Sequence, residues 1–377
     1  MRHRPPVVTP SVRRALATIG IVGVAFSAAA CGSSDSSTSD SSTSAAADSG
    51  SSTEEVGVTL ITKDSSNPFF VAMQKGAKED AANNNVKLTV ASGAKEGDDQ
   101  GQITAIEDAI ARGDKGILIT PMSTGVNAAI KKARDAGLYV IALDTPPDPA
   151  DTVDITFATD NRLAGKLIGE WTAVQLDGKA ASIALLDLFN DKVVSVDYNR
   201  DQGFLEGMGI DVKDGKMNGD EAPTGTYAGG KGGDYSIVCN EASLGNETDG
   251  LKAMENCLSK SKDINVVYTI NEPAAVGAKK ALEAAGITDA LIVSVDGGCA
   301  GVDQVKSGVI GATSQQYPLK MATLGMKAIA DIARGGDKPT VTDGLDFYNT
   351  GVALVTDKAA AGVDSIDTAA ASAICWG

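Results

Sequence analysis

Val56-Gly57-Val58-Thr59-Leu60-Ile61-Thr62 is a short, nearly continuous β-branched and apolar run, and Lys63-Asp64-Ser65-Ser66-Asn67-Pro68-Phe69-Phe70 follows it directly. Apolar residues at successive positions predict a strand covered on both faces rather than one with a wet side. The proline at 68 suits the first turn of a helix, where its missing N–H has no partner to lose. The pattern repeats outward from this unit. Strands are expected at 86–91, 116–120, 139–143 and 155–159, with helices at 68–83, 98–112 and 126–135. It restarts with helices at 163–176, 196–208, 248–259, 273–285 and 319–334, and with strands at 182–188, 236–239, 266–270, 291–295 and 311–314. Buried strands alternating with helices specify an α/β fold of doubly wound parallel sheets. About 320 residues of this pattern exceed what one core usually holds, so two domains are expected.

The N-terminal part reads differently. Arg13-Arg14 precedes an apolar run, 15–26, and then Ser27-Ala28-Ala29-Ala30-Cys31. A basic start, a short apolar segment and small residues form a secretory signal, too short to span a bilayer. A cysteine placed directly after the small residues resembles a bacterial lipoprotein signal, which implies a signal at 1–30 and lipidation of Cys31. Residues 32–52 are almost wholly Ser, Thr, Asp, Ala and Gly. Such a segment buries too little apolar surface to offset its ordering entropy, so 31–55 is expected to be a tether.

Composition excludes several functions. The single histidine, His3, lies in the signal. The rest therefore lacks the commonest general base and metal ligand. No phosphate-binding or dinucleotide-binding glycine motif and no nucleophile elbow is present. No enzyme, cofactor or metal is expected. Of 33 basic residues, four arginines precede Cys31 and no acidic residue does; 29 basic against 49 acidic residues leave a net charge of −20. That surface disfavours nucleic acid. The Gly-, Asp- and Lys-rich stretch 211–234 reads as a surface insertion whose carboxylates suit Ca²⁺ in kind but lack EF-hand spacing.

Beyond Cys31 stand Cys239, Cys257, Cys299 and Cys375. An even number in an exported chain favours disulfides, with three possible connectivities. Cys299 follows a strand end and Cys375 lies in the last segment, so a bridge between them would pin that segment to the body. Cys239 and Cys257 sit on a neighbouring strand and helix, which makes them the expected second bridge.

Ligands of open parallel sheets bind beyond the carboxyl ends of the strands. Those ends supply Asp64, Asn67, Phe69 and Phe70, then Asp144, Asn190 and Arg200, then Asn271, Asp296, Gln315 and Gln316. Singly, Asp and Asn there are ordinary helix caps. Together the carboxylates, amides, guanidinium and aromatic faces suit a polyol, whose hydroxyls pair with the polar groups while C–H faces lie on the rings.

Asn67-Pro68-Phe69-Phe70, Ile141-Ala142-Leu143-Asp144, Arg200-Asp201-Gln202-Gly203-Phe204, Asn271-Glu272, Val295-Asp296-Gly297 and Gln316-Tyr317-Pro318 resemble, in order, motifs of ribose-type periplasmic sugar-binding proteins. The resemblance is closest to the fructose-binding branch, through Leu143-Asp144-Thr145-Pro146, Tyr268-Thr269-Ile270-Asn271-Glu272-Pro273, Ser294-Val295-Asp296-Gly297-Gly298-Cys299 and Cys375-Trp376-Gly377. It implies a solute-binding protein of an ABC importer, with two lobes on a three-stranded hinge. One lobe would hold 56–159 and 317–344, the other 160–316 and 345–377. Asn67, Phe69, Phe70 and Asp144 would contact sugar from the first lobe; Arg200, Asn271, Asp296 and Gln316 would do so from the second or the hinge. The ribose branch follows its aspartate with arginine, and Thr145 stands there instead, which ranks fructose ahead of ribose and other hexoses. The implied partners are a monosaccharide, the importer's permease and, through Cys31, the membrane, for a monomer outside the cytoplasm. A sensor that presents sugar occupancy to a membrane receptor is the alternative. A transcription regulator on this body would need a DNA-binding segment where the signal stands.

Overall fold

The elements follow the alternation expected from the sequence, with additions where the apolar signal is short. The computed structural model describes residues 55–377. The expected signal, Cys31 and all of the tether but Glu55 lie outside the described residues. The first set of elements is β1 (Val56–Thr62), α1 (Pro68–Asn83), β2 (Val86–Ser92), α2 (Asp99–Arg112), β3 (Gly116–Ile119), α3 (Asn127–Asp135), β4 (Tyr139–Leu143) and β5 (Ile155–Ala158). The second is α4 (Asn161–Leu176), β6 (Ala181–Asp187), α5 (Ser195–Met208), β7 (Thr224–Tyr227), β8 (Gly233–Ala242), α6 (Glu247–Lys260), β9 (Val266–Thr269), α7 (Glu272–Ala284), β10 (Leu291–Asp296), α8 (Cys299–Ser307) and β11 (Ala312–Gln315). The chain ends with α9 (Pro318–Ala333), β12 (Tyr348–Asn349), β13 (Ala353–Val355) and α10 (Thr368–Ser372).

The strands form two sheets. The first runs β12-β5-β4-β3-β1-β2, and every pair in it is parallel. The second runs β13-β11-β10-β9-β6-β8-β7, parallel through its centre with antiparallel strands at both edges. Each sheet is covered on both faces, as its unbroken apolar strands require. Leu60, Met73, Leu143 and Met326 fill one side of the first sheet, and Ile61, Ile106, Ile119 and Ile130 fill the other. Trp171, Phe204 and Tyr268 dominate one side of the second sheet, and Leu186, Met254 and Leu282 the other.

The chain passes between the lobes at 159–160, 316–317 and 350–352. The last crossing corrects the expected boundary at 344/345. Tyr348 and Asn349 pair with Phe157 and Ala158 in the first sheet, and the Tyr348 ring meets Phe157 edge-on at 5.3 Å. A two-residue strand has too little apolar pattern to be read from sequence. The 211–234 stretch is also more than a loop: it contains β7, which pairs antiparallel with β8 at the sheet edge. Both expected disulfides are present, Cys239–Cys257 joining β8 to α6 and Cys299–Cys375 joining α8 to the segment after α10. Among the described residues no helix is long and apolar enough to cross a membrane.

Helices α4 and α5 touch backbone to backbone through Gly165, Gly169, Gly203 and Gly207. A Cβ at Gly165 would stand 2.1 Å from the carbonyl oxygen of Arg200, and one at Gly203 would stand 2.3 Å from that of Arg162. Only glycine permits this approach, and it fixes Arg200 beside the start of α4.

Candidate functional site

A small cavity lies between the lobes. Lys63, Asn67, Phe69, Phe70, Glu96 and Asp144 line it from the first lobe, and Leu188, Val196, Arg200, Gly245, Ile270, Asn271, Asp296 and Gln316 from the second lobe and its crossing. Eight of the eleven strand-end residues singled out from the sequence therefore meet in one place. Asn190 does not. It is exposed and lies with Asp191 and Lys192 in a separate concavity, so its assignment is corrected. The polypeptide turns outward after Leu188, and Leu188 itself faces the cavity. Asp64 and Gln315 serve the backbone instead. Asp64 Oδ1 accepts the N–H groups of Ser66 and Asn67 at 2.7 Å, and Gln315 Nε2 donates to the Gly297 carbonyl at 2.8 Å.

Arg200 stands at the centre, 4% exposed. Its Nε donates to Asn161 Oδ1 at 2.7 Å and its Nη1 to the Ile270 carbonyl at 2.9 Å. Asp144 Oδ1 and Asp296 Oδ1 lie 3.8 and 3.9 Å from its guanidinium, close enough to feel the charge and too far for a hydrogen bond. Asp144 directly follows β4 and Asp296 ends β10, both with positive φ, +65° and +144°. Such backbone conformations are strained for non-glycine residues and persist where the surroundings impose them. Thr145 Oγ1 donates to Asp144 Oδ2 at 2.8 Å, and Gln316 Nε2 donates to Asp296 Oδ1 at 2.8 Å.

Three buried acceptors on the cavity-lining residues have no hydrogen-bond partner: Asp144 Oδ1, Glu96 Oε1 and Gln316 Oε1. Buried polar atoms are normally hydrogen-bonded, so acceptors without that bond in a cavity mark places for donors. Phe69 and Phe70 supply the apolar wall, with their rings edge-to-face at 5.5 Å. Asn67 and Asn271 do double duty. Each caps its helix, through Phe69 N–H at 3.0 Å and Ala274 N–H at 3.2 Å, while lining the cavity. Burial pushes the Asp296 carboxyl up to about 7 despite Arg200 nearby. Glu272, behind it, is pushed up to about 8 by burial and then by the Asp296 carboxylate. Glu272 holds the turn after β10, accepting Gly297 N–H at 2.7 Å and Thr313 Oγ1–H at 2.8 Å.

Lys63 and Glu96 escaped the sequence reading. They form a buried pair at 3.6 Å, and burial raises the Glu96 carboxyl although Lys63 opposes the shift. The rule that found the others reaches them too, because they follow the carboxyl ends of β1 and β2. Asn161, the other omission, opens α4 immediately after a crossing. Among the described residues no group of three or more His, Cys, Asp or Glu stands ready to hold a metal.

The lobes are drawn together around the cavity. Lys192 Nζ of the second lobe donates to the Gly97 carbonyl of the first at 2.9 Å, Lys216 pairs with Asp148 at 3.1 Å, and Ser195 Oγ donates to the Pro146 carbonyl.

Comparison with known proteins agrees with this geometry. The family described as periplasmic binding protein domain matches residues 58–337. The ribose import binding protein of Salmonella typhimurium is 28% identical over 282 residues, covering 74% of this chain and 86% of its own. That of Bacillus subtilis is 26% identical over 283 residues, covering 75% and 83%. Among solved structures, a Mycobacterium smegmatis protein in complex with β-D-fucofuranose superposes with a TM-score of 0.67 at 23% identity, covering 84% of this chain and 93% of its own. A galactofuranose-binding protein gives 0.66 at 24% identity, covering 79% and 94%. The chain belongs to the periplasmic binding protein domain family, a family of binding proteins rather than enzymes, and has the two-lobed fold of its type I sugar-binding members.

Proposed function

We propose that this protein captures a monosaccharide between its two lobes outside the cytoplasm and delivers it to an ABC importer. The observation that carries the reading is the set of buried acceptors without a hydrogen-bond partner, Asp144 Oδ1, Glu96 Oε1 and Gln316 Oε1, around Arg200 and beside two phenyl rings. Hydroxyl groups are donors that fit such acceptors, and a sugar's C–H face fits the rings. Relatives and structural neighbours described as binding ribose, allose, galactofuranose and fucofuranose support a monosaccharide. Residues from both lobes would touch the ligand, so binding would favour the closed state, which the permease would recognise.

Fructose is the favoured sugar. Thr145 occupies the place of the ribose branch's arginine, and its hydroxyl is spent on Asp144, which leaves that corner small and without added positive charge. In this reading the chain works as a monomer, tethered to the membrane through a lipidated Cys31.

Calorimetry of the mature chain against fructose, ribose, allose, galactose and myo-inositol tests the sugar. Saturable binding led by fructose is expected. Tight ribose binding without fructose binding would reverse the ranking, and no binding of any of these compounds would remove the reading itself. For the anchor, Cys31→Ser is expected to lose acyl label and leave the membrane fraction or remain unprocessed; an unchanged mass and location would refute lipidation.

A further inference from the structure

Trp376 belongs to the second lobe by its backbone and to the first by its side chain. Its carbonyl accepts the Cys299 N–H at 2.9 Å, and the adjacent Cys375 is bonded to Cys299 at the head of α8. The indole, 7% exposed, packs into the first-lobe core, where it meets Phe69 edge-to-face at 5.5 Å. Its Nε1 donates at 2.7 Å to the carbonyl of Gln316, on the crossing between β11 and α9. Gly298 lies against the same ring, since a Cβ there would stand 3.3 Å from it.

One side chain thus touches three parts of the binding site's frame. Phe69 is the aromatic wall of the cavity. Gln316 orients Asp296 through its own side chain. Gly298 belongs to the turn that follows Asp296. The contact also spans the lobes close to a crossing. Rotation of one lobe about the crossings moves Phe69 relative to Cys299, and an indole held at both ends follows only a limited rotation.

We propose that Cys375 and Trp376 form a disulfide-held strap that sets the position of Phe69 and limits how far the lobes open, which makes Trp376 a positioning residue for the ligand cavity. This inference rests on the sugar-binding reading for its effect on affinity, while its effect on lobe opening is independent of any ligand. An edge-to-face aromatic pair contributes about 0.5–1.5 kcal/mol beyond the area it buries, so its loss corresponds to roughly 2- to 12-fold in affinity if it acts on the bound state alone.

The test uses four variants and three readouts: fructose affinity by calorimetry, the ligand-free radius of gyration by X-ray scattering and, for the control, the melting temperature. Trp376→Ala is expected to weaken binding roughly tenfold and to enlarge the ligand-free radius. Trp376→Phe keeps an edge for Phe69 and should recover most of the affinity. The double variant Cys299→Ser, Cys375→Ser should shift affinity and radius in the direction of Trp376→Ala, and it carries the test if the alanine variant does not fold. Cys239→Ser with Cys257→Ser is the control: it should melt earlier with affinity and radius unchanged. Wild-type affinity and radius in both the Trp376→Ala and the Cys299/Cys375 variants would overturn the strap. If the wild type itself binds no monosaccharide, the functional reading fails, and the ligand-free radius alone still decides whether the strap restrains the lobes.

Discussion

Asp144→Asn isolates the chemistry of the cavity better than any truncation. Asp144 is 4% exposed, its Oδ2 is held by Thr145 Oγ1 at 2.8 Å, and its Oδ1 faces the Arg200 guanidinium at 3.8 Å without a hydrogen bond. Asparagine has the same shape, keeps an acceptor for Thr145 and tolerates the +65° φ at this position better than alanine does. What it removes is the charge and the free acceptor, placing an N–H₂ where a ligand hydroxyl would donate. Hydrogen bonds to a charged group contribute about 1.5–3 kcal/mol, and an unpaired hydroxyl on the ligand adds its own desolvation cost. A loss of about 2–3 kcal/mol is expected, or roughly 30- to 150-fold in Kd. Titration calorimetry with fructose measures it, alongside the melting temperature of the ligand-free protein. That temperature shows whether the variant is folded, so that a weaker affinity is not read from an unfolded fraction. A Kd within threefold of the wild type would refute the role of Asp144 as an acceptor.

Further outcomes are expected from the same geometry. Thr145→Val keeps the volume and deletes the hydroxyl that holds Asp144 Oδ2, so fructose binding should weaken roughly tenfold by calorimetry; unchanged binding would show that Asp144 needs no orienting partner. Asp296 and Glu272 are held near 7 and 8 in the folded protein, above their ordinary values, so the native state holds more protons than the unfolded state between about pH 4 and 8. The stability these two groups contribute is fully present below their unfolded pKa values and is lost as pH rises through that window. Thermal unfolding of the ligand-free protein should therefore show a melting temperature that falls from pH 5 to 8, with a shallower slope in Glu272→Gln; a rising profile, or an identical slope in the variant, would contradict this. Cys239–Cys257 spans 18 residues, and opening it with serines should cost about 3 kcal/mol on the loop-entropy account, seen as a drop of several degrees in melting temperature.

Most of the fold is legible because burial on both faces writes itself into sequence as unbroken apolar runs. Val56–Thr62 and Leu291–Asp296 are such runs, and their ends in the sequence pattern nearly coincide with those in the structure. The elements that escape a sequence reading lack the signal. Tyr348–Asn349 is two residues long, and Thr224–Tyr227 mixes threonine and glycine on an exposed edge. The candidate site is legible in the same way, one strand end at a time, and the error at Asn190 has a definite cause. Knowing that a residue follows a strand does not say which way the chain turns afterwards, and here Leu188 turns inward while Asn190 turns out.

The sequence by itself determined the kind of fold, the order of its elements and the chemical types gathered at strand ends, because these depend on local periodicity and on the one-way geometry of parallel sheets. Only the tertiary structure decided which of those groups remain unsatisfied. Asn67 and Asn271 each cap a helix and line the cavity, whereas Asp64 is consumed by its own loop. Lys63 joins Glu96 from two neighbouring strands, and Trp376 reaches Phe69 from the far end of the chain. Hydrogen-bond satisfaction, charge pairing and contact across a crossing are properties of distances between remote residues, and no local pattern of sequence carries those distances.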